Sequence, residues 1–429
     1  MAQTCRSCAE GLAGPRHGHS DASLDSVSAA AEGRGLRKSS GNRPEGSERA
    51  VHERGELRIA PVAAIFGANA SGKTNVLSAM RWMRDAVLDS VADWARGKGV
   101  PREPFALDQE AAEEASLFEV DVVIGENRYV YGFEVSDERV ETEWLHVYPQ
   151  GSRRRQVWFD RDAERPEEYR FPSDRLKGSK KPLIEFTRPN ALFLTAAVAL
   201  HVLQVEPLYD WFKDNLWLVS PGDDLHVRDA YTKHQLLNPE FRGRAEGLLT
   251  VADLGVTGLQ VEERGAELPE VSLLHQGKDG PQPLDIRHQE SFGTLAWLAF
   301  LGPLLRALDD GAVLLVDELD SSLHPVLVAE VVRLFEDPVA NPRGAQLVFT
   351  GHDTSLLGKA HVERPLDREQ VWITEKRRTG ESELYPLTDT GVRLDESLDR
   401  GYLRGRYGGI PRTALRGVAV EVAKHVTGT

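Results

Sequence analysis

The sequence GANASGKT, residues Gly67–Thr74, decides the fold of this chain. It directly follows a short apolar run, Val62–Phe66, and directly precedes a segment of helical periodicity from Asn75 to about Trp94. A buried strand, a glycine-rich turn and a helix N-terminus in this order point backbone N–H groups at phosphate oxygens. A chance match to G-x-x-x-x-G-K-[ST] is expected at roughly 0.015 per chain of this length. The stretch therefore predicts a phosphate-binding loop, called the P-loop below.

The side chains of the P-loop have distinct predicted roles. Lys73 is placed to contact the β and γ phosphates, and Thr74 to give its hydroxyl to Mg²⁺. The G-x-x-x-x-G spacing differs from the G-x-G-x-x-G of dinucleotide sites, so a dinucleotide is disfavoured. The predicted nucleotide-binding residues of this segment are Gly67, Ala68, Asn69, Ala70, Ser71, Gly72, Lys73, Thr74 and Asn75.

A second pattern, AVLLVDELDSSLHP at Ala312–Pro325, predicts a strand that ends in two acidic residues. Its apolar run is typical of a strand buried on both faces, and open α/β sheets bind ligands where such strands end. We expect Asp317 to hold Mg²⁺ through water and Glu318 to polarise an attacking water. The alternative is that both carboxylates only cap the next helix, but Asp320 and Ser321 can already do so.

Two further segments complete the predicted site. The apolar strand Ala345–Thr350 is followed by His352, which we expect to reach the γ phosphate because this strand comes directly after the one that carries the carboxylates. A lone histidine is more often a plain surface or core residue, so its position carries this prediction. Ser291 and Gly293 lie at the predicted start of a helix, with Ser291 as N-cap and free amides behind it. Such a helix start is an anion site without an obvious anion of its own.

The rest of the chain predicts an α/β fold with a mostly parallel core sheet, an antiparallel β subdomain and a helical insertion. Alternating residues in Ser116–Asp160 predict antiparallel hairpins. Asn190–Leu218 and Glu240–Leu249 are predicted helices, and the Gly- and Pro-rich His275–Pro283 is a predicted loop. Alternating helices and strands from Phe292 to Thr350 imply the parallel sheet.

These elements divide the chain into four predicted parts. They are a disordered tail (1–58), an N-terminal lobe with the P-loop and the antiparallel subdomain (59–189), a helical insertion (190–270) and a C-terminal lobe with the other site motifs (271–429). The tail contains no Phe, Trp, Tyr or Ile and can bury little apolar area against its ordering entropy. A zinc site of Cys5 and Cys8 with His17 and His19 is a less favoured alternative, because the spacing matches no common finger.

Composition excludes several classes of protein. The 429 residues include 52 Lys and Arg against 67 Asp and Glu, a net charge of −15, which argues against wholesale coating of nucleic acid but leaves a local basic groove open. The longest uncharged apolar stretches, Ala191–Leu200 and Leu295–Leu305, are shorter than the roughly 20 residues that span a bilayer. With 2 cysteines no disulfide framework is expected. We therefore expect a cytoplasmic protein without a membrane span.

The motifs together resemble ABC-class AAA family ATPases related to RecF, SMC and OLD proteins, specifically the abortive-infection (AbiL/RloA-like) phage-defence type. The resemblance covers about Ala60–Pro411. It rests on PVAAIFGANASGKTNVL, RPNALFLTAA, QESFGT, LLVDELDSSLHP and FTGHD, and on a C-terminal group, QVWITEK, ESELYPL and GYLRGRYGGIP.

The resemblance implies a P-loop NTPase of the ABC-ATPase head type that uses ATP and Mg²⁺. Lys73, Glu318 and His352 are the implied catalytic residues, and Thr74 and Asp317 the implied metal ligands. It also implies a head-to-tail homodimer in which Ser291 and Gly293 of one subunit cover ATP held by the P-loop of the other.

The implied function is ATP hydrolysis whose dimerisation gates a separately encoded effector protein or the binding of DNA or RNA. The alternative is a nucleotide-dependent protein-binding switch with negligible turnover. A built-in nuclease domain is not expected, because few residues follow His352 and no D-x-D follows Glu375.

Two assignments stay open. Gln109 is a candidate for the glutamine of the Q-loop or a plain surface residue. The segment GRYGG, Gly405–Gly409, with Arg404 and Arg406, is either a structural loop or a contact for nucleic acid or a partner, since Arg and Tyr can bind phosphate and stack on bases. Lys376–Arg378 is predicted to be a solvated turn.

Overall fold

A computed structural model describes residues 52–410, except 55–56, 96, 98, 153, 222–223, 253–254, 266, 359–364 and 394–395. Most of the predicted tail lies outside the described residues, including Cys5, Cys8, His17 and His19. So does Arg412, which closes the basic cluster of the C-terminal motif. Two short strands are described at 52–54 and 57–59, so regular structure begins before Ile59, where we predict order to begin.

Strands and helices alternate along most of the described chain. The strands are β1 (His52–Arg54), β2 (Leu57–Ile59), β3 (Val62–Gly67), β4 (Ser116–Ile124), β5 (Asn127–Val135), β6 (Val140–Tyr148), β7 (Gln156–Asp162), β8 (Tyr169–Arg170), β9 (Leu216–Val219), β10 (Val256–Glu262), β11 (Glu270–Gly277), β12 (Gly280–Asp285), β13 (Val313–Val316), β14 (Gln346–Thr350), β15 (Val371–Lys376) and β16 (Ser382–Pro386). The α-helices are α1 (Lys73–Asp89), α2 (Gln109–Glu113), α3 (Lys181–Phe186), α4 (Phe193–Ala199), α5 (Glu206–Asp214), α6 (Leu225–Gln235), α7 (Pro239–Val251), α8 (Phe292–Asp310), α9 (Pro325–Glu336) and α10 (Leu398–Leu403).

A six-stranded sheet in the order β16-β15-β3-β14-β13-β9 forms the centre of the structure. Its neighbouring strands are parallel, except that β16 runs antiparallel to β15. In β3, Val62, Ala64 and Phe66 belong to one apolar core and Ala63 and Ile65 to the other. Burial on both faces explains why this strand is a continuous apolar run rather than an alternating one. The predicted α/β class with a mostly parallel core sheet is confirmed.

An antiparallel sheet of β4 to β8 is the predicted β subdomain. The hairpin of β4 and β5 lies where the sequence predicts a turn at Gly125-Glu126-Asn127, but Asn127 pairs with Ile124, so Gly125 and Glu126 alone form the turn. A second antiparallel sheet, β10-β11-β12, replaces the loop predicted at His275–Pro283. That prediction is wrong because its prolines lie on β12, an edge strand, where a missing N–H leaves no inner ladder bond unmade.

The single helix predicted over Asn190–Leu218 is also wrong, since the segment folds as α4, α5 and β9. Helix α4 is followed by His201 in the left-handed region (φ 58°), and Pro207 lies in the first turn of α5. Strand β9 pairs in parallel with β13, Trp217 beside Leu314, so the segment 190–270 supplies an edge strand of the central sheet as well as helices. The division of the chain into lobes and an insertion stays a prediction.

The motif RPNALFLTAA fastens the antiparallel sheet to the end of α1. Arg188 donates to the carbonyl of Val91 (2.7 Å), and Asn190 Nδ2 donates to the carbonyls of Trp94 (3.1 Å) and Gly99 (3.0 Å). These bonds hold the segment that follows α1. The motif therefore has a structural role, although it is far from the P-loop in the sequence.

Helix α8 is a core helix. It is the one helix in the described part of the chain that is long and apolar enough to span a membrane, yet 72% of its apolar window is buried inside the protein. Such burial is typical of the central helix of a globular fold.

Candidate nucleotide-binding site

Three adjacent strands of the central sheet bring the predicted site residues to one edge. Gly67 ends β3, Asp317 directly follows β13, and Gly351 directly follows β14. Because these strands are neighbours and parallel, their carboxyl ends open on the same crevice. The local patterns therefore meet in space although they are far apart in the sequence.

The P-loop joins β3 to α1 through two residues in the left-handed region, Ala70 (φ 60°) and Gly72 (φ 102°). Lys73, the first residue of α1, folds back over the loop and donates from Nζ to the carbonyls of Gly67 (2.8 Å) and Ala68 (3.1 Å). The α1 N-terminus has no side-chain cap. A helix N-terminus after a glycine-rich turn is suited to bind an anion.

The ammonium of Lys73 is buried, with 6% of the residue exposed. Burial lowers its pKa from the ordinary value, while the nearby carboxylates of Glu318, Asp317 and Asp320 act in the opposite direction. A desolvated cation beside acidic groups is suited to receive the charge of a phosphate.

Thr74 and Asp317, the predicted metal ligands, are in direct contact. Thr74 Oγ1 donates to Asp317, with 3.2 Å to Oδ1 and 3.0 Å to Oδ2. Thr74 is exposed and Asp317 is partly buried, and both offer hard oxygen atoms, which are the ligands that Mg²⁺ prefers. The donor set fits this cation.

Thr350, the last residue of β14, was not among the predicted site residues. Its Oγ1 donates to Asp317 Oδ1 (2.6 Å) and accepts from the N–H of Glu318 (2.7 Å). Glu318 lies in the left-handed region (φ 49°), where a non-glycine residue is strained. The hydroxyl of Thr350 thus fixes both acidic residues. Its place just before the Gly351-His352 pair is the sequence signal that could have identified it.

His352 and Glu318 face each other, with 3.8 Å between His352 Nε2 and Glu318 Oε1, and both side chains are about two-fifths exposed (40% and 42%). The backbone N–H of His352 donates to Asp320 Oδ2 (2.6 Å), so Asp320 ties the end of β14 to the segment after β13. Asp320 and Ser321 do not cap the next helix as we expected. The N-cap of α9 is His324, whose Nδ1 accepts from Val326 N–H (3.3 Å).

Ser291 is the N-cap of α8, as predicted, and its Oγ accepts from the N–H of Thr294 (3.1 Å). Both Ser291 and Phe292 are exposed, Phe292 to 61%. A Cβ placed on Gly293 would lie 3.5 Å from the carbonyl oxygen of Ser322, so this helix start lies beside the segment that follows Glu318. In the described residues no hydrogen bond joins Ser291 or Gly293 to the P-loop of the same chain.

The two open assignments have different outcomes. Gln109 is an exposed residue at the start of the short helix α2, and within the described ranges no hydrogen bond links it to the P-loop. In the GRYGG region Tyr402 and Tyr407 are buried (7% and 2% exposed) and cannot stack on bases, while Arg406 pairs with Glu396. The structure favours a structural loop there.

Comparisons with known proteins identify the family of this chain. The profile of one family, described as "AAA domain, putative AbiEii toxin, Type IV TA system", matches residues 62–358. A comparison with curated protein sequences gave no match.

Several solved SMC head domains are similar to the chain. The SMC head bound to the C-winged helix domain of ScpA has 15% identity, covers 77% of this chain and 91% of its own, and gives a TM-score of 0.41. The SMC head domain from Thermotoga maritima has 16% identity, 79% and 96% coverage and a TM-score of 0.35. The SMC head with an extended coiled coil bound to the C-terminal domain of ScpA, derived from Pyrococcus furiosus, has 14% identity, 78% and 93% coverage and a TM-score of 0.35. These scores are too low to carry an inference about this chain.

Proposed function

The chain belongs to this family of AAA domains, and on that premise we propose that it binds and hydrolyses ATP with Mg²⁺. The observation that carries the proposal is the contact of Thr74 with Asp317, 3.0 Å apart at the crevice of the parallel sheet. A hydroxyl directly after the P-loop lysine and a carboxylate at the end of a second strand of the same parallel sheet are the metal-holding pair of P-loop NTPases.

The P-loop supports the nucleotide part of the proposal. The N-terminus of α1 and the buried ammonium of Lys73 would bind the phosphates. Lys73 would exchange its present bonds to Gly67 and Ala68 for bonds to phosphate oxygens. Mg²⁺, held by Thr74 and Asp317, would neutralise charge on the β and γ phosphates.

Glu318 and His352 support the hydrolytic part. Glu318 is exposed at the crevice and stands next to the metal-holding carboxylate, so it would accept a proton from the attacking water. His352 lies 3.8 Å from it and would orient the water or the γ phosphate.

We further propose that the active form is a head-to-tail homodimer. Ser291 and Gly293 lie at an exposed helix start, and their amides have no anion partner within the described chain. Covering ATP on the P-loop of a second subunit would give them one, and the exposed Phe292 would then be buried.

The biological setting is a proposal of the same kind. We propose a cytoplasmic anti-phage defence component whose closure on ATP gates a separately encoded effector. Its support is the family description, which names a toxin–antitoxin system. Closure driven by ATP needs contacts that exist only in the closed state, and the bridging role of Ser291 supplies them.

The test is the ATP hydrolysis rate of the wild type beside Lys73→Ala, with exposed Lys278→Ala as the matched control. We expect Lys73→Ala to lose both ATP binding and turnover, while Lys278→Ala keeps them. Equal ATP hydrolysis rates for all three proteins would rule out the proposed ATPase activity. Tight ATP binding by the wild type without measurable turnover would instead support the nucleotide-dependent switch.

A further inference from the structure

We infer that Thr374 and Ser382, on the hairpin β15–β16, are positioning residues that hold the P-loop from the side of β3 opposite to Asp317. The inference rests on the proposed ATP site and assigns a role to the C-terminal motifs QVWITEK and ESELYPL. None of the site residues predicted from the sequence lies on these strands.

The first contact joins Thr374 to the centre of the P-loop. Thr374 Oγ1 lies 2.6 Å from Ser71 Oγ, both residues are buried, and the same hydroxyl is 3.3 Å from the carbonyl oxygen of Phe66. A buried hydroxyl pair with this separation orders both side chains, because an unpaired buried hydroxyl costs free energy. Thr374 therefore fixes where the second half of the P-loop lies relative to the end of β3.

The second contact is steric and involves Gly67. A Cβ at Gly67 would collide with Thr374 Oγ1 and would lie 2.5 Å from Ser71 Oγ and 2.6 Å from the Thr374 carbonyl oxygen. Strand β15 thus packs directly on the first glycine of the P-loop, with Thr374 registered beside Gly67 in the parallel ladder. The loop cannot move toward β15.

The third contact is made by Ser382 at the start of β16. A Cβ at Gly72, in the left-handed region with φ 102°, would collide with Ser382 Oγ and would lie 2.7 Å from Ser382 Cβ. Ser382 is 5% exposed, and its hydroxyl has no hydrogen-bond partner in the described structure. A buried hydroxyl that is unpaired beside the residue before Lys73 can bond to the loop or its phosphate when a nucleotide is held.

The GRYGG segment supports this hairpin from behind. A Cβ at Gly409 would lie 3.3 Å from the Thr374 carbonyl oxygen and 3.4 Å from Gly67 Cα. Tyr402 donates to the carbonyl of Gly409 (3.0 Å), and Tyr385 donates to that of Tyr407 (2.8 Å). The GRYGG segment, whose role the sequence does not decide, thus packs against β15 and Gly67 and supports the P-loop.

The experiment compares Thr374→Val with the conservative Thr374→Ser, and adds Ser382→Ala and Ser71→Ala. Thr379→Val, in the exposed turn of the same hairpin, is the matched control. The readouts are the Kd of a fluorescent ATP analogue, kcat at saturating ATP, and hydrogen exchange of residues 67–74 without nucleotide.

We expect Thr374→Val, Ser71→Ala and Ser382→Ala each to weaken ATP binding roughly three- to tenfold, the effect of one buried hydrogen bond. Thr374→Ser and Thr379→Val should stay near the wild type. Thr374→Val should also speed hydrogen exchange in the P-loop. The double variant Thr374→Val with Ser71→Ala should bind ATP no more weakly than either single variant.

Unchanged Kd and unchanged exchange in Thr374→Val would overturn the inference. The inference would also be overturned if Thr374→Ser bound ATP as weakly as Thr374→Val and both variants were thermally less stable, since Thr374 would then have only a packing role. If the wild type binds no ATP, the proposed function fails, and the exchange data alone then decide whether this hairpin holds the loop.

Discussion

Thr350 donates a 2.6 Å hydrogen bond to Asp317 across two neighbouring strands of the central sheet. The same hydroxyl accepts the N–H of Glu318, at 2.7 Å. One side chain at the end of β14 therefore orients the carboxylate that faces Thr74 and stabilises the strained backbone of the next acidic residue. The last residue of one strand thus determines the geometry at the end of another.

Replacement of Thr350 by Val should lower ATP turnover about tenfold or more, because Asp317 and the Glu318 backbone both lose a hydrogen bond in a site that requires exact positions. Thr350→Ser keeps the hydroxyl and should retain most of the activity. Steady-state kcat and the Mg²⁺ concentration for half-maximal rate are the measurements. If the valine variant works as well as the serine variant, Thr350 is only a packing residue.

The sequence predicts those parts of the fold that depend on residues close together in the chain. The apolar runs of β3, β13 and β14 and the glycine pattern of the P-loop were sufficient for the α/β class and for the residues at the crevice. The resemblance to AAA family ATPases is confirmed by the family profile, which matches residues 62–358.

The parts that were not predictable depend on distant partners. The local sequence predicts a helix up to Leu218, because only the pairing of β9 with β13 makes Leu216–Val219 a strand. Strand β12 is tolerated with its prolines only because it is at an edge. Thr350 contacts Asp317, and Thr374 contacts Ser71, because the order of the strands in the sheet brings them together. No local sequence pattern contains that order.

Glu318→Gln should lower kcat by about two to four orders of magnitude, the usual effect of losing a general base, while ATP binding stays within a few-fold of the wild type. Glutamine keeps the shape and the backbone bond to Thr350 but cannot accept the proton of water. Turnover and nucleotide Kd should be measured on the same preparation, with Glu381→Gln in the distant β15–β16 turn as the control. A full rate in Glu318→Gln would show that another group serves as the base.

The proposed homodimer predicts that two inactive variants restore each other. Lys73→Ala lacks a working P-loop, and Ser291→Arg lacks the cover for the opposite subunit, but a mixed dimer contains one site with both groups intact. Random pairing of equal amounts should recover roughly one quarter of the wild-type rate if the two sites work independently. ATP hydrolysis before and after mixing is the measurement. Mixtures no more active than their components would argue against a shared site.

A last prediction concerns Glu143 on β6, which is fully buried and joins the antiparallel sheet to α4. Its carboxylate accepts from the N–H groups of Phe193 (2.6 Å) and Leu194 (2.9 Å) and from the hydroxyl of Tyr131 (3.0 Å), and it lies 3.9 Å from Arg161. Burial raises its pKa above the ordinary value of 4.5, and Arg161 and the two N–H groups only partly oppose this shift. Burial therefore favours the neutral form of Glu143, while the hydrogen bonds hold its side chain in place.

Replacement of Glu143 by Gln should lower the free energy of unfolding by about 3 kcal/mol, because the amide nitrogen cannot accept the N–H of Phe193 or Leu194 and leaves a buried donor unpaired. The loss should depend on pH with a definite sign. Since the folded-state pKa of Glu143 is raised, its contribution to stability is complete below pH 4.5 and declines as pH rises through the folded-state pKa. The difference in the free energy of unfolding between the wild type and Glu143→Gln should therefore decrease with rising pH. Urea unfolding over this range measures it, with Glu141→Gln on the same strand, partly exposed, as the control; a gap that widens instead would show that ionisation of Glu143 stabilises the fold.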